Sequence, residues 1–221
     1  AGQGKLPCLD EVVIRPVMEA STRVIMLERG EVDVIYFPPP NEVERLQKTA
    51  GLGVVIAPYN RVAWVALNTQ KGPCKDVRVR QAINLAIDRK ALIDVVLRGL
   101  GLNVDSLIPP VMPGYARSWK FLDYNPKRAR ELLTEAGYPK GFNAIFESPN
   151  GRYFMDYQLS QAIQGFLRDI GINAELRTSE WATWFAQQMK WAGDPALANQ
   201  DMAFMAWGPA RGPHGYFRVD E

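Results

Sequence analysis

The stretch from Leu159 to Leu176 constrains the fold most. Leu159, Ala162, Ile163, Phe166, Leu167 and Ile170 recur at helical spacing and form one apolar stripe. Gly171 follows, where a helix is expected to stop. Ile172, Ala174 and Leu176 then alternate with polar residues, the period of a strand with one buried face. A helix and a strand this close, each with one apolar side, must cover each other. The chain is therefore expected to be an α/β protein rather than a bundle or a sandwich.

The same alternation runs through the rest of the sequence. Extended, β-branched segments are expected at Glu11 to Val17, Val32 to Phe37 and Val54 to Ile56, with a helix between the first two capped by Ser21 or Thr22. Further strands are expected at Val62 to Leu67, Asn143 to Glu147 and Asp201 to Trp207. Asp76 should cap a helix carrying Val79, Ala82, Ile83, Ala86 and Ile87, and Asp88 should cap the next. Asn125-Pro126 reads as a cap followed by proline in the first turn. Ser179 should cap a helix containing Trp181, Trp184, Phe185 and Met189. Between Leu100 and Tyr124 lies a proline-rich stretch without periodicity, either functional or wrapped on the surface. Sheets are expected to be partly parallel, and no internal repeat is visible.

Chemistry that the sequence lacks narrows the function. His214 is the one histidine, and no G-x-S-x-G turn, H-E-x-x-H helix, phosphate loop or G-x-G-x-x-G is present. The reading is of a binding protein, with no catalytic residue, no metal site and no cofactor. Basic and acidic residues number 26 and 24, which argues against a nucleic-acid partner, since that needs a clustered basic surface. Cys8 and Cys74 make neither a disulfide framework nor a zinc site; both free, or one pairing, are open. The first ten residues lack a basic start and an apolar run, so either a cytosolic chain or a piece of a longer secreted one fits.

A resemblance then becomes specific. Asn60 to Arg89 reads NRVAWVALNTQKGPCKDVRVRQAINLAIDR. It resembles a hallmark stretch of the family 5 extracellular solute-binding proteins, which take up peptides, nickel chelates and related solutes. EASTRVIMLERGEVDVIY from Glu19, NPKRARELLTEAGYP from Asn125 and RDIGINAELRTSEWATW from Arg168 resemble other parts of that family in the same order. The resemblance implies a periplasmic binding protein-like (type II) fold with a mixed sheet, in which two lobes close on a solute. It implies that residues 1–60 are a β-α-β segment of lobe I and that 61–200 are an inserted α/β lobe. Residues 201–221 would be the return crossover strand and the start of lobe I's C-terminal part. Members are about twice this length or more, so the chain is expected to be a fragment.

By the same resemblance the protein would serve an ABC importer as its substrate-binding component. It would capture peptides or peptide-like solutes and deliver them to permease subunits in the membrane. Its place would be periplasmic or extracellular, held at the membrane. A solute-sensing domain of a transcriptional regulator is the alternative.

The strands Arg61 to Leu67 and Met202 to Trp207 would form the hinge. Trp207 would offer a flat apolar wall to the solute, or would simply pack at its strand end. Many peptide binders of the family carry an aspartate for the peptide amine three residues after this tryptophan, where Ala210 stands here. Arg211 could hold a carboxylate, or be an exposed loop residue. Trp181 matches a pocket-wall tryptophan, with Trp184 expected in the core. Arg152 and Tyr153, in the turn Asn150-Gly151-Arg152-Tyr153, either face the cleft or form a plain surface turn. His214 could meet a metal carried by the solute, or lie in solvent.

Overall fold

A computed structural model describes residues 9–115, 123–194 and 197–208. It contains a four-stranded mixed sheet built from β1 (Val62–Leu67), β2 (Phe142–Pro149), β3 (Ile172–Ser179) and β4 (Met202–Trp207). The order across the sheet is β1-β4-β2-β3. β1 runs antiparallel to β4, with Val62 opposite Trp207 and Leu67 opposite Met202. β2 runs parallel to β3, from Phe142 opposite Ile172 to Pro149 opposite Ser179, and parallel to β4 at Phe146 and Glu147. The α/β reading with a mixed sheet holds.

Seven α-helices accompany these strands among the described residues. They are α1 (Ala20–Glu28), α2 (Pro40–Lys48), α3 (Val77–Ala86), α4 (Arg89–Ala91), α5 (Pro126–Glu135), α6 (Asp156–Asp169) and α7 (Trp181–Gly193). α4 runs directly into a π-helical turn at Leu92–Val96. Val95 on that turn is exposed.

The core lies between one sheet face and the helices α3, α5 and α6. Val79 and Ile83 of α3, Leu133 of α5 and Leu167 of α6 meet Phe146, Ile172 and Met202 of the strands, all essentially inaccessible. Each such side chain stabilises by roughly 1.5–3 kcal/mol through burial. Polar contacts fix how the helices sit. Ser160 Oγ of α6 donates to Ser148 Oγ of β2 at 2.9 Å, and Gln164 Nε2 donates to the Ala174 carbonyl of β3 at 2.7 Å. Arg130 of α5 donates to the Asp169 carbonyl at the end of α6, and the Asn125 amide donates to the Leu85 carbonyl of α3.

Asp201 locks the start of β4. Its amide donates to the Ile145 carbonyl at 3.0 Å, its Oδ2 accepts from the Ile145 amide at 2.8 Å, and its carbonyl accepts from the Asn68 amide. Cys74 is a free, buried thiol, pushed by burial up to about 12, which suits a packing residue rather than a nucleophile. Cys8 lies outside the described residues.

The capping expectations divide. Asp76 accepts from the Arg78 amide, Asp88 from the Ala91 amide and Asn125 from the Arg128 amide. The Arg78 guanidinium, hydrogen-bonded to Asp76, holds that carboxyl down at about 2. Ser21 and Thr22 do not cap α1. The helix already starts at Ala20, so both lie inside its first turn, and Glu19 precedes it without a side-chain bond. Ser179 does not cap α7 either. It is the last residue of β3, and Glu180 accepts from the Ala182 amide instead.

Three expected strands are absent. Residues 11–17, 32–37 and 54–56 are extended or bent and form no ladder among the described residues. Many of their apolar side chains stand in the open, with Ile14 87% and Val55 90% exposed. β-branched residues favour a pleated surface only where a neighbouring strand supplies hydrogen bonds and packing. α1 and α2 bury Val24, Val43 and Leu46, which lie outside the main core. An ion pair between Arg45 and Glu28 joins these two helices.

The second sheet face is polar along β3 and apolar along β1 and β4, and is partly covered by α7. Glu147 is buried there, with one long hydrogen bond from Gln188 Nε2 at 3.4 Å. Burial pushes its carboxyl above the ordinary value of 4.5, and Arg177 offsets this only in part. A raised carboxyl favours the neutral form on folding. Its contribution is full below the unfolded value and is lost as pH rises through the raised one. Glu147→Gln keeps the shape without the charge. It is expected to raise stability at pH 7 and to flatten the fall in stability as pH rises above the ordinary carboxyl value. Urea unfolding at several pH values checks this; an unchanged pH profile would contradict it.

Candidate functional site

β1 begins where β4 ends, and a pocket opens at this junction. Its volume is 270 Å³. Tyr59, Asn60 and Arg61 line it from the approach to β1. Ala206, Trp207 and Gly208 line it from the end of β4, and Arg152 and Tyr153 from the turn after β2. Gly208 is required here by close approach: a Cβ on it would stand 2.3 Å from the Asn60 carbonyl oxygen.

The turn carrying Arg152 and Tyr153 is organised by Asp156. This buried carboxylate accepts from the Gly151 and Tyr157 amides through Oδ1 and from the Arg152 and Tyr153 amides through Oδ2, all at 2.9–3.0 Å. Asp156 is also the first residue of α6, where a negative charge meets the positive end of the helix. Met155, before it, takes a left-handed conformation with φ 55° and has no capping side chain. The turn is thus a fixed platform rather than a loose surface bend.

Tyr153 is 7% exposed. Its ring meets Trp181 edge-on at 5.7 Å and Phe204 at 6.4 Å. Burial raises its phenol above the ordinary value, partly offset by the Ala206 backbone and by Arg152 and Arg61 nearby. The hydroxyl forms no hydrogen bond of normal geometry among the described residues, although Ala206 lies close. A buried hydroxyl without a partner is costly.

Both pocket arginines rest on aromatic rings. Arg152 lies 4.7 Å from the Trp181 ring centroid, and Arg61 lies 5.5 Å from Tyr59 and 6.0 Å from Tyr153. Trp181 is half-buried, stacks on Trp184 and Phe185, and supports the site through Arg152 and Tyr153 without lining it. Trp184 is buried. Trp207 lines the pocket at 37% exposure. Four residues singled out in the sequence, Arg152, Tyr153, Trp181 and Trp207, therefore come together. Arg211, Ala210 and His214 lie outside the described residues.

Arg61 and Asp156 were not singled out. The signal for Asp156 was an acid opening an amphipathic helix, shortly after the Gly151 turn. For Arg61 it was a cation at the end of an apolar strand. No group of three or more His, Cys, Asp or Glu able to hold a metal forms among the described residues.

Residues 3–219 match the sequence family described as bacterial extracellular solute-binding proteins, family 5 Middle. The dipeptide-binding protein of Escherichia coli is 30% identical over 208 residues, covering 86% of this chain and 38% of the relative. Heme-binding protein A of Haemophilus influenzae is 33% identical over 190 residues, covering 82% and 34%. An ABC transporter-associated periplasmic binding protein from Helicobacter pylori, solved with the peptide STSA, superposes with a TM-score of 0.73 at 32% identity. That match covers 88% of this chain and 36% of the other. The chain thus spans well under half the length of these relatives. It belongs to the bacterial extracellular solute-binding proteins of family 5.

Proposed function

We propose that this chain is part of the substrate-binding component of an ABC importer. It captures peptides or peptide-like solutes between two lobes and delivers them to permease subunits in the membrane. It acts by binding alone, on the periplasmic or outer face, held at the membrane. In this reading 61–200 form one lobe, 1–60 belong to the other, and 201–221 cross back.

The observation that carries the reading is the junction pocket. It lies where the two crossing strands meet, and it combines aromatic walls with an unpartnered buried hydroxyl. Such a surface suits a solute that is flat or extended and brings its own polar groups. The exposed β-branched segments before residue 60 support the lobe division, because they have the composition of strands and no ladder here. The named relatives, described as dipeptide- and heme-binding or solved with a peptide, support the solute class.

Mass spectrometry of small molecules released on denaturing the secreted, relative-length protein tests the proposal. Peptide-like masses are expected at near-stoichiometric amounts. A protein free of solute that also ignores a peptide pool in calorimetry would contradict it.

A further inference from the structure

We propose that the junction pocket selects solutes bearing two acidic groups, one for Arg61 and one for Arg152. This deepens the solute-site reading and rests on it. Both guanidiniums line the same 270 Å³ pocket, and no other lining residue is charged. Elsewhere in the fold arginines sit against carboxylates, as in Arg45 with Glu42, Arg78 with Asp76, Arg128 with Glu135 and Arg177 with Glu175. Arg61 and Arg152 form no ion pair with any described carboxylate; their recorded contacts are with aromatic rings.

Within the turn, Asp156 has both of its oxygens taken by backbone amides, and Glu180, beside the Ser179 carbonyl that accepts from the Asn150 amide, accepts from the Ala182 amide. Asp156 holds the platform and forms no direct ion pair with either arginine, so its charge acts on them only through space.

Charge and geometry agree on the ligand chemistry. Two like charges on one partly enclosed surface repel, and an anion between them relieves this. A guanidinium stacked on a ring keeps its N–H edge free for two parallel bonds to a carboxylate. A solute amine, by contrast, finds no counter-charge in the lining. The shared chemistry is a dicarboxylate, whether an acidic peptide presenting a side chain and its carboxyl terminus or a non-peptide diacid.

NMR titration of the 221-residue chain, read at the arginine Nε–H and tryptophan indole N–H resonances, tests this at low affinity. The probes are glutarate, Ala-Glu, butyrate and Ala-Lys at matched ionic strength. Glutarate and Ala-Glu are expected to shift Arg61, Arg152 and Trp207 together. They should bind at least about tenfold more tightly than butyrate or Ala-Lys. The better of the two tells a diacid from a peptide. Arg61→Gln and Arg152→Gln should each lose that tenfold for glutarate while leaving the amide spectrum of the core unchanged. If butyrate or Ala-Lys shifts the same resonances with equal affinity, or if Arg61→Gln binds glutarate as wild type does, the diacid inference falls and the solute pocket stands. If no probe moves any pocket resonance, both fall.

Discussion

Asp156→Ala should remove the pocket and much of the stability together. The carboxylate satisfies four backbone N–H groups, three of them in the turn that bears Arg152 and Tyr153. Hydrogen bonds to a charged acceptor contribute about 1.5–3 kcal/mol each, and amides left unpaired add a desolvation cost. These terms are not additive, because the turn relaxes as one unit. A loss of about 3–5 kcal/mol is expected, read from urea unfolding. Asp156→Asn keeps one carbonyl acceptor and should fall between the two. Where the alanine variant still folds in the cold, solute binding should be lost, since Arg152 and Tyr153 are no longer held. Full binding by a folded Asp156→Ala chain would show that the turn does not depend on this residue.

Gly141→Ala should be comparably severe for a different reason. Gly141 has φ +73°, and a Cβ there would lie 1.8 Å from the Gly171 carbonyl oxygen. That oxygen accepts from the Phe142 amide at 3.2 Å, the contact that sets β2 beside β3. Backbone must therefore move at the first paired residues of both strands. A loss of at least about 3 kcal/mol is expected. Gly165→Ala is the control. It lies inside α6 with open space around its would-be Cβ. It should stabilise by about 0.5–1 kcal/mol, the ordinary gain of alanine over glycine in a helix. Equal effects at the two sites would contradict the steric account.

The parts of the fold that were legible in the sequence are those whose partners are near or self-announcing. The α6 stripe, Gly171 and the alternation of Ile172, Ala174 and Leu176 describe a helix and strand that do pack together. Asp76, Asp88 and Asn125 cap as their side chains allow. The segments 11–17, 32–37 and 54–56 misled because strand composition says only that a residue would fit a sheet. A ladder needs a second strand, and the described residues supply none. Glu180 was passed over for Ser179 because glutamate is a less common cap than serine.

The site shows the same division. Trp181, Arg152, Tyr153 and Trp207 were picked out through the resemblance to family 5, and the fold brings them together around one turn. Arg61 was not, because its place follows from the antiparallel register that sets Val62 opposite Trp207. Nothing local to Arg61 announces that pairing. Asp156 was missed because its work is done through backbone amides, which carry no sequence signature of their own.

The central claim is that the junction of β1 and β4, with the Asp156-held turn, is where the solute sits. Hydrogen exchange of the protein with and without its co-purified solute tests this most directly. Protection is expected at 59–61, 151–153 and 206–208 together, with Trp207→Ala and Arg152→Gln abolishing it. Protection confined to other segments, or unchanged in those variants, would place the solute elsewhere and contradict the account.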